Sequence, residues 1–170
     1  RELFGLPTDC PLMIFGSVSP LSNDRKGYNL LSGALETLAA DSETDAELVI
    51  FGASRPKNPP DLGFPTHYTG YLNDEESLAL LYSAADVMVV PSRYEGFGQT
   101  VTEAMACGTP VVAFDTTGPS EIIDHQETGY LATAYDPTDL ASGIKNLLSD
   151  ESYRSALGKN ARERALERYD

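Results

Sequence analysis

Basic side chains are scarce in this sequence. Its 170 residues include 12 Lys and Arg against 26 Asp and Glu, for a formal net charge of −14. Nucleic-acid binding depends on clustered Lys and Arg, so this composition argues against a DNA or RNA partner. Between Lys57 and Lys145 the single basic residue is Arg93, and Arg25 and Lys26 form an isolated basic pair. In so acidic a chain, these three residues are candidates for holding an anionic ligand, and scattered surface charge is the competing interpretation.

Cysteine, histidine and long apolar segments are also in short supply. Two cysteines, Cys10 and Cys107, are too few for a disulfide framework. His67 and His125 are far apart in the sequence and lack metal-ligand spacing. No segment approaches the ~18 apolar residues of a membrane span, and the first residues show no signal-peptide pattern. We therefore expect no metal, no cofactor, no membrane contact and a cytoplasmic location.

Short apolar runs alternate with amphipathic segments along the whole chain. Runs without polar alternation, such as 87–90 and 111–114, are typical of strands buried on both faces of a parallel sheet. The predicted strands are 12–15, 48–52, 67–71, 87–90, 111–114 and 129–132, and the predicted helices are 28–40, 74–85, 99–107, 118–123, 137–148 and 151–170. The alternation predicts one α/β domain over residues 1–170, a doubly wound, mostly parallel six-stranded sheet with helices on both faces.

Helix starts and buried stripes can be predicted as well. Asn73 is expected to cap the helix that opens with three acidic residues, and Asp136 to cap the helix that begins at Pro137. In the last helix, one stripe of apolar residues is expected to be buried. That stripe comprises Tyr153, Leu157, Ala161, Ala165 and Tyr169.

Ligands of doubly wound sheets bind beyond the carboxyl ends of the strands, where the strand order reverses. The loops concerned are 16–27, 52–64, 71–73, 91–98 and 115–119. The basic pair Arg25-Lys26 and the isolated Arg93 both fall on these loops. This placement favours a ligand-binding role for Lys26, and for Arg25 and Arg93 scattered surface charge remains an equal alternative.

The loop 91–98 leads directly into a predicted helix. Gly96 and Gly98 let a ligand approach the backbone closely, and the amides of Gly98, Gln99 and Thr100 open the helix, where a phosphate is well accommodated. Two glycines alone are weak support for a nucleotide site. A turn that merely needs glycine remains an equal alternative.

Two carboxylates bracket this helix start. Glu103 lies in a helix of small and apolar residues, so it is expected to be buried and to need a partner. Its carboxylate can accept two hydrogen bonds from a vicinal diol such as a ribose. Glu95 precedes the glycines and can bind sugar hydroxyls or cap the turn. A glycosidase-type acid and base pair is disfavoured, because Glu103 is tied to the helix start rather than free across a cleft.

The segment EGFGQTVTEAMACGTPVVAFDTTGPSEIIDHQETGYL resembles the signature of family 4 ("group 1") glycosyltransferases of GT-B architecture. Glu95 and Glu103, separated by seven residues, match the paired glutamates of that family. The RKG loop, the GYL followed by an acidic helix, and ADVMVVPS extend the similarity over nearly the whole chain. The resemblance covers only the second, donor-binding domain, so the N-terminal acceptor domain is expected to be missing from this chain.

The resemblance implies retaining, metal-free transfer of a hexose from a nucleotide-diphosphate sugar to a glycan, lipid or other acceptor. Lys26 would neutralise the leaving diphosphate, Glu103 would hold the ribose, and Glu95 with Gly96, Phe97 and Gly98 would hold the sugar. Gly16 and Ser17 would belong to the phosphate-binding loop, Gln99 and Thr100 would meet the diphosphate, and Tyr71 and Leu72 would contact the base. The family usually has an arginine where this chain has Ser17, and we hypothesise that Arg25 replaces it. Without the acceptor domain, the isolated chain is expected to be inactive.

Three other functions fit parts of this pattern. The chain can be a non-catalytic nucleotide-sugar-binding module, or part of a GT-B type sugar-nucleotide epimerase. A receiver-type signalling domain is disfavoured, because no acidic pocket with a phosphoacceptor aspartate follows the first strand.

Overall fold

The computed structural model describes residues 1–41 and 44–169. The strands are Leu12–Gly16 (β1), Glu47–Phe51 (β2), Thr66–Gly70 (β3), Val87–Val90 (β4), Val111–Phe114 (β5) and Gly129–Ala132 (β6). The α-helices are Tyr28–Ala39 (α1), Glu75–Ala84 (α2), Gln99–Ala106 (α3), Pro119–Ile122 (α4), Pro137–Ser149 (α5) and Glu151–Tyr169 (α6). Asp170, the predicted end of the last helix, lies outside the described residues.

The strands form one sheet in the order β3-β2-β1-β4-β5-β6. Each neighbouring pair of these strands is parallel, which confirms the predicted doubly wound architecture. The order reverses between β1 and β4, where Met13 pairs with Val87. The crevice beyond the carboxyl ends of these two strands is therefore where a ligand is expected.

Helices cover both faces of the sheet. On one face, Leu35 of α1 and Ile144 of α5 belong to a buried cluster with Phe15 of β1. On the other face, Met105 of α3 belongs to a buried cluster with Met88 of β4, which also includes residues of α2 and α6. Because both faces are covered, β4 and β5 are buried along their full length, as their uninterrupted apolar runs predict.

Two details of the helices differ from the predictions. The cap of α2 is Asp74 rather than Asn73, because the Asp74 side chain accepts a hydrogen bond from the Ser77 amide at 2.6 Å. The predicted buried stripe of α6 is confirmed at Leu157, Ala161 and Ala165, but Tyr153 is only partly buried, and the prediction is wrong at Tyr169, which is 40% exposed. Tyr169 lies beyond the core and packs edge-on against Phe97, with ring centroids 6.0 Å apart. Asp136 caps α5 as predicted, by accepting from the amides of Thr138 and Asp139.

None of the described helices combines the length and apolar character needed to cross a lipid bilayer.

Candidate functional site

A cleft of about 690 Å³ opens beyond the carboxyl ends of β1 and β4, at the reversal of strand order. Most of the predicted site residues line it: Ser17, Arg25, Lys26, Tyr71, Leu72, Glu95, Phe97, Gly98, Gln99, Thr100 and Glu103. The predicted residues Gly16, Arg93 and Gly96 are not part of this lining. Further lining residues that the sequence did not single out are Val18, Ser19, Asn23, Phe51, Gly52, Leu78 and Tyr82.

The loop after β1 and the loop after β4 are held together by their backbones. The Arg93 amide donates to the Arg25 carbonyl oxygen at 2.8 Å. Gly27 has a left-handed backbone conformation with φ of 70°. A Cβ atom on Gly27 would lie 1.8 Å from the Pro91 carbonyl oxygen, so only glycine permits this close approach. The basic pair is thereby fixed opposite the glycine loop.

Lys26 and Glu95 form an ion pair inside the cleft. Lys26 Nζ lies 2.7 Å from Glu95 Oε1, although 69 residues separate the two in the chain. The Ser92 hydroxyl, which belongs to a residue only 3% exposed, donates to the same oxygen at 2.7 Å. Lys26 therefore balances the negative charge of Glu95, and two hydrogen bonds to Oε1 hold the carboxylate in place. The sequence predicted both residues at the site but assigned them to different parts of a ligand, so their mutual contact is new.

Glu103 is half-buried, and as its apolar surroundings in the sequence predict, it has a hydrogen-bond partner, Tyr82. The Tyr82 hydroxyl donates to Glu103 Oε2 at 3.0 Å. Tyr82 is only 1% exposed. Burial and, after it, the negative charge of Glu103 raise the pKa of the Tyr82 hydroxyl far above its usual range, so the hydroxyl remains a donor. Tyr82 belongs to the buried face of α2, and nothing else in the sequence indicated that it reaches the cleft. A polar hydroxyl within that apolar face is the signal that could have identified it.

At the start of α3, no acceptor for the amides of Gln99 and Thr100 is found within residues 1–41 and 44–169. The N-cap residue is Gly98, with φ of 75°, and because it has no side chain it cannot accept a hydrogen bond from the first helical amides. The first amides of a helix have no acceptor within it, and the helix dipole places partial positive charge there. Gln99 and Thr100, the first two helical residues, both line the cleft. This arrangement suits an anionic group such as a phosphate.

Arg93 lies near the cleft but its side chain is engaged elsewhere. Its guanidinium group lies 5.9 Å from the ring centroid of Tyr135, close enough for a cation–π contact. The Tyr135 hydroxyl donates to the Arg93 carbonyl oxygen at 3.0 Å. Because Tyr135 follows Arg93 by 42 residues, local sequence gave no indication of this contact.

Metal-ligating side chains do not gather in the part of the chain that the structure describes. Across residues 1–41 and 44–169, no group of three His, Cys, Asp or Glu side chains is placed to hold an ion. The histidines contact neighbouring elements: His67 Nε2 lies 2.5 Å from Glu47 Oε2, and His125 Nδ1 accepts from the Leu131 amide at 3.0 Å. That no metal is needed stays a prediction.

Known proteins resemble the chain in sequence and fold. The family described as "Glycosyl transferases group 1" matches residues 11–164. A D-inositol 3-phosphate glycosyltransferase of Xylanimonas cellulosilytica is 36% identical over 173 residues, which cover 95% of this chain and 40% of that protein. The chain thus spans less than half the length of this relative.

Solved structures give the same result. Sucrose-phosphate synthase from Thermosynechococcus elongatus superposes with a TM-score of 0.83 and 33% identity, over 100% of this chain and 44% of that one. The C-terminal domain of a glycosyl transferase group 1 family protein from Francisella tularensis superposes with a TM-score of 0.76 and 25% identity, over 97% of this chain and 88% of that one. With the family match spanning most of its length, this chain belongs to the group 1 glycosyl transferases.

Proposed function

We propose that this chain is the donor-binding half of a retaining glycosyltransferase, which transfers a hexose from a nucleotide-diphosphate sugar to a glycan, lipid or other acceptor. The observation that supports it is the composition of the cleft. Two basic side chains and an uncapped helix start meet two fixed carboxylates at the reversal of strand order. A ligand that carries both a diphosphate and hydroxyl-rich sugars matches this pairing of charges.

The diphosphate lies at the start of α3 in this proposal. The amides of Gln99 and Thr100 meet one phosphate, as anions are met at other helix starts. Lys26 and Arg25, which line the same cleft, neutralise the charge that develops when the sugar departs. Electrostatic stabilisation of that charge is the main catalytic contribution of this half, and it needs no metal ion.

In this proposal the ribose lies beside Glu103, and the base lies beside Tyr71 and Leu72. Glu103 is four residues beyond Gln99, about 6 Å along the helix axis at 1.5 Å per residue. That distance suits a ribose joined to a phosphate at the helix start. Tyr71 and Leu72, at the β2 and β3 side of the cleft, contact the base.

Glu95 and the backbone of Gly96-Phe97-Gly98 hold the transferred sugar. The ion pair of Lys26 with Glu95 also connects the sugar-binding part of the site to the part that binds the diphosphate. When the diphosphate enters, Lys26 has two anionic partners, and it bridges the sugar-binding carboxylate to the leaving group. The acceptor and the groups that complete catalysis belong to a second domain in this proposal. The cytoplasmic location expected from the sequence stays a prediction.

Calorimetric titration of the chain with UDP, GDP and ADP tests the proposal. We expect one of the three to bind, and Glu103→Gln to weaken that binding about 10-fold or more, because the charge-assisted bonds to the ribose diol are lost. Glu167→Gln, at an exposed position of α6, is the matched control and should bind like the wild type. If no diphosphate binds, or if both variants bind equally well, the proposed donor site is wrong.

A further inference from the structure

Tyr82 is held in place both through its ring and through its backbone. It packs edge-on against Phe51, with ring centroids 5.8 Å apart and an interplanar angle of 83°. The backbone carbonyl of Tyr82 accepts a hydrogen bond from the Thr109 hydroxyl at 2.6 Å. Residues of β2 and of the loop after α3 thus hold this part of α2 in place. The direction of the Tyr82 hydroxyl is set by packing before any ligand binds.

The hydroxyl in turn determines how Glu103 is presented. It donates to Oε2 at 3.0 Å, while no protein donor to Oε1 is found among the residues that the structure describes. Each carboxylate oxygen has two lone pairs, so Oε2 can accept a second hydrogen bond beside the one from Tyr82. Both oxygens therefore remain usable by a diol, and the rotation of the carboxylate is restricted.

We infer that Tyr82 is a positioning residue that fixes Glu103 for a vicinal diol and so makes the site select ribonucleotides over nucleotides without the diol. This inference rests on the proposed function, in which Glu103 holds the ribose of the donor. Tyr82 acts through Glu103. Holding the Glu103 carboxylate in one orientation before the ligand arrives lowers the entropic cost of binding, because this side chain then loses fewer rotamers.

A purely structural role for the Tyr82–Glu103 bond makes a different prediction. In that case, removing the hydroxyl changes the stability of the chain but weakens all nucleotides equally. A positioning role changes the ratio of affinities for ligands with and without the diol. The ratio is therefore the informative quantity, and it is insensitive to a uniform loss of folded protein.

The experiment measures this ratio by calorimetry for Tyr82→Phe, which keeps the ring and removes the hydroxyl. The probes are UDP, GDP and ADP, each compared with its 2′,3′-dideoxy counterpart. We expect the wild type to prefer the ribose form of its nucleotide about 10-fold or more, and Tyr82→Phe to lower this preference about 5-fold, with little change for the dideoxy form.

The control is Tyr130→Phe. Tyr130 also donates to a carboxylate, Asp139 Oδ1 at 2.7 Å, but it does not line the cleft. Tyr130→Phe should therefore leave the preference unchanged. A second variant, Phe51→Leu, removes the ring that packs edge-on against Tyr82 and leaves Glu103 unchanged. It should lower the preference as Tyr82→Phe does, and it supplies the answer if Tyr82→Phe does not fold.

The outcomes separate the two claims. An unchanged preference in Tyr82→Phe, or in Phe51→Leu if only that variant folds, overturns the positioning role while the donor site stands. A wild type that binds a diphosphate but ignores the diol overturns both the ribose role of Glu103 and the role of Tyr82. A wild type that binds none of the three diphosphates overturns the proposed function and this inference with it.

Discussion

Replacing Lys26 with alanine should weaken nucleoside diphosphate binding about 100-fold, at the upper end of what a hydrogen bond to a charged group contributes. Two losses combine in this variant. The diphosphate loses a cation, and Glu95, whose side chain is only 12% exposed, loses the partner 2.7 Å away that neutralises it. The remaining negative charge then repels the ligand. Binding of the corresponding nucleoside, which carries no phosphate, should be nearly unaffected.

A second substitution isolates the contribution of Glu95. In Lys26→Ala with Glu95→Gln, the uncompensated charge is gone, so part of the lost affinity should return. Calorimetry on the two single variants and the double variant gives the coupling energy between the residues. Lys57→Ala, at an exposed position outside the cleft, is the control. Equal diphosphate affinity in Lys26→Ala and Lys57→Ala would contradict this role of Lys26.

The same assay tests whether Arg25 replaces the arginine expected at Ser17. Arg25 is exposed and lines the cleft, so its guanidinium group can reach a bound phosphate without a structural penalty in the free protein. Arg25→Ala should weaken diphosphate binding about 10-fold. If Arg25→Ala binds as the wild type does while Lys26→Ala abolishes binding, the replacement hypothesis fails.

Gly27→Ala should destabilise the chain by about 2–4 kcal/mol, the sum of left-handed strain and a steric overlap. The added Cβ would lie 1.8 Å from the Pro91 carbonyl oxygen, so the loop after β1 must separate from the loop after β4. That separation also moves Lys26 away from Glu95. The variant should therefore lose both free energy of unfolding, measured by urea titration, and affinity for the diphosphate.

Gly70→Ala is the matched control for this prediction. Gly70 has φ of 71°, nearly the value at Gly27, but a Cβ atom added to it would have no other atom within 4 Å. Its cost should be the left-handed strain alone, about 1–2 kcal/mol. Equal losses of stability in the two variants would show that the contact between the loops does not matter.

The sheet could be predicted from the sequence because a parallel sheet covered on both faces imposes a visible pattern. Strands β4 and β5 are short, apolar and without alternation, and both were predicted with their observed bounds. The location of the cleft then followed from the rule for doubly wound sheets. These predictions depend on local composition and on general topology, neither of which requires knowledge of side-chain contacts.

The contacts within the site could not be predicted in the same way. Lys26 meets Glu95 across 69 residues, and Tyr82 meets Glu103 across 21. Such pairs depend on how the loops and helices pack against each other, and that packing cannot be deduced directly from a single sequence. Arg93 shows the converse, since its position in the chain suggested a ligand contact and packing placed its guanidinium group over a tyrosine ring.

The most direct test of the donor site is an amide chemical-shift titration of the chain with the nucleoside diphosphate that binds it. The largest shifts should fall on Gln99, Thr100 and the loop 17–27, with smaller ones around Tyr82. The chain has a second cavity of about 410 Å³, lined by Arg55, Thr66 and Tyr68 among others, on the opposite side of β2 from β1. Shifts confined to that cavity would contradict the assignment of the cleft between β1 and β4 as the donor site.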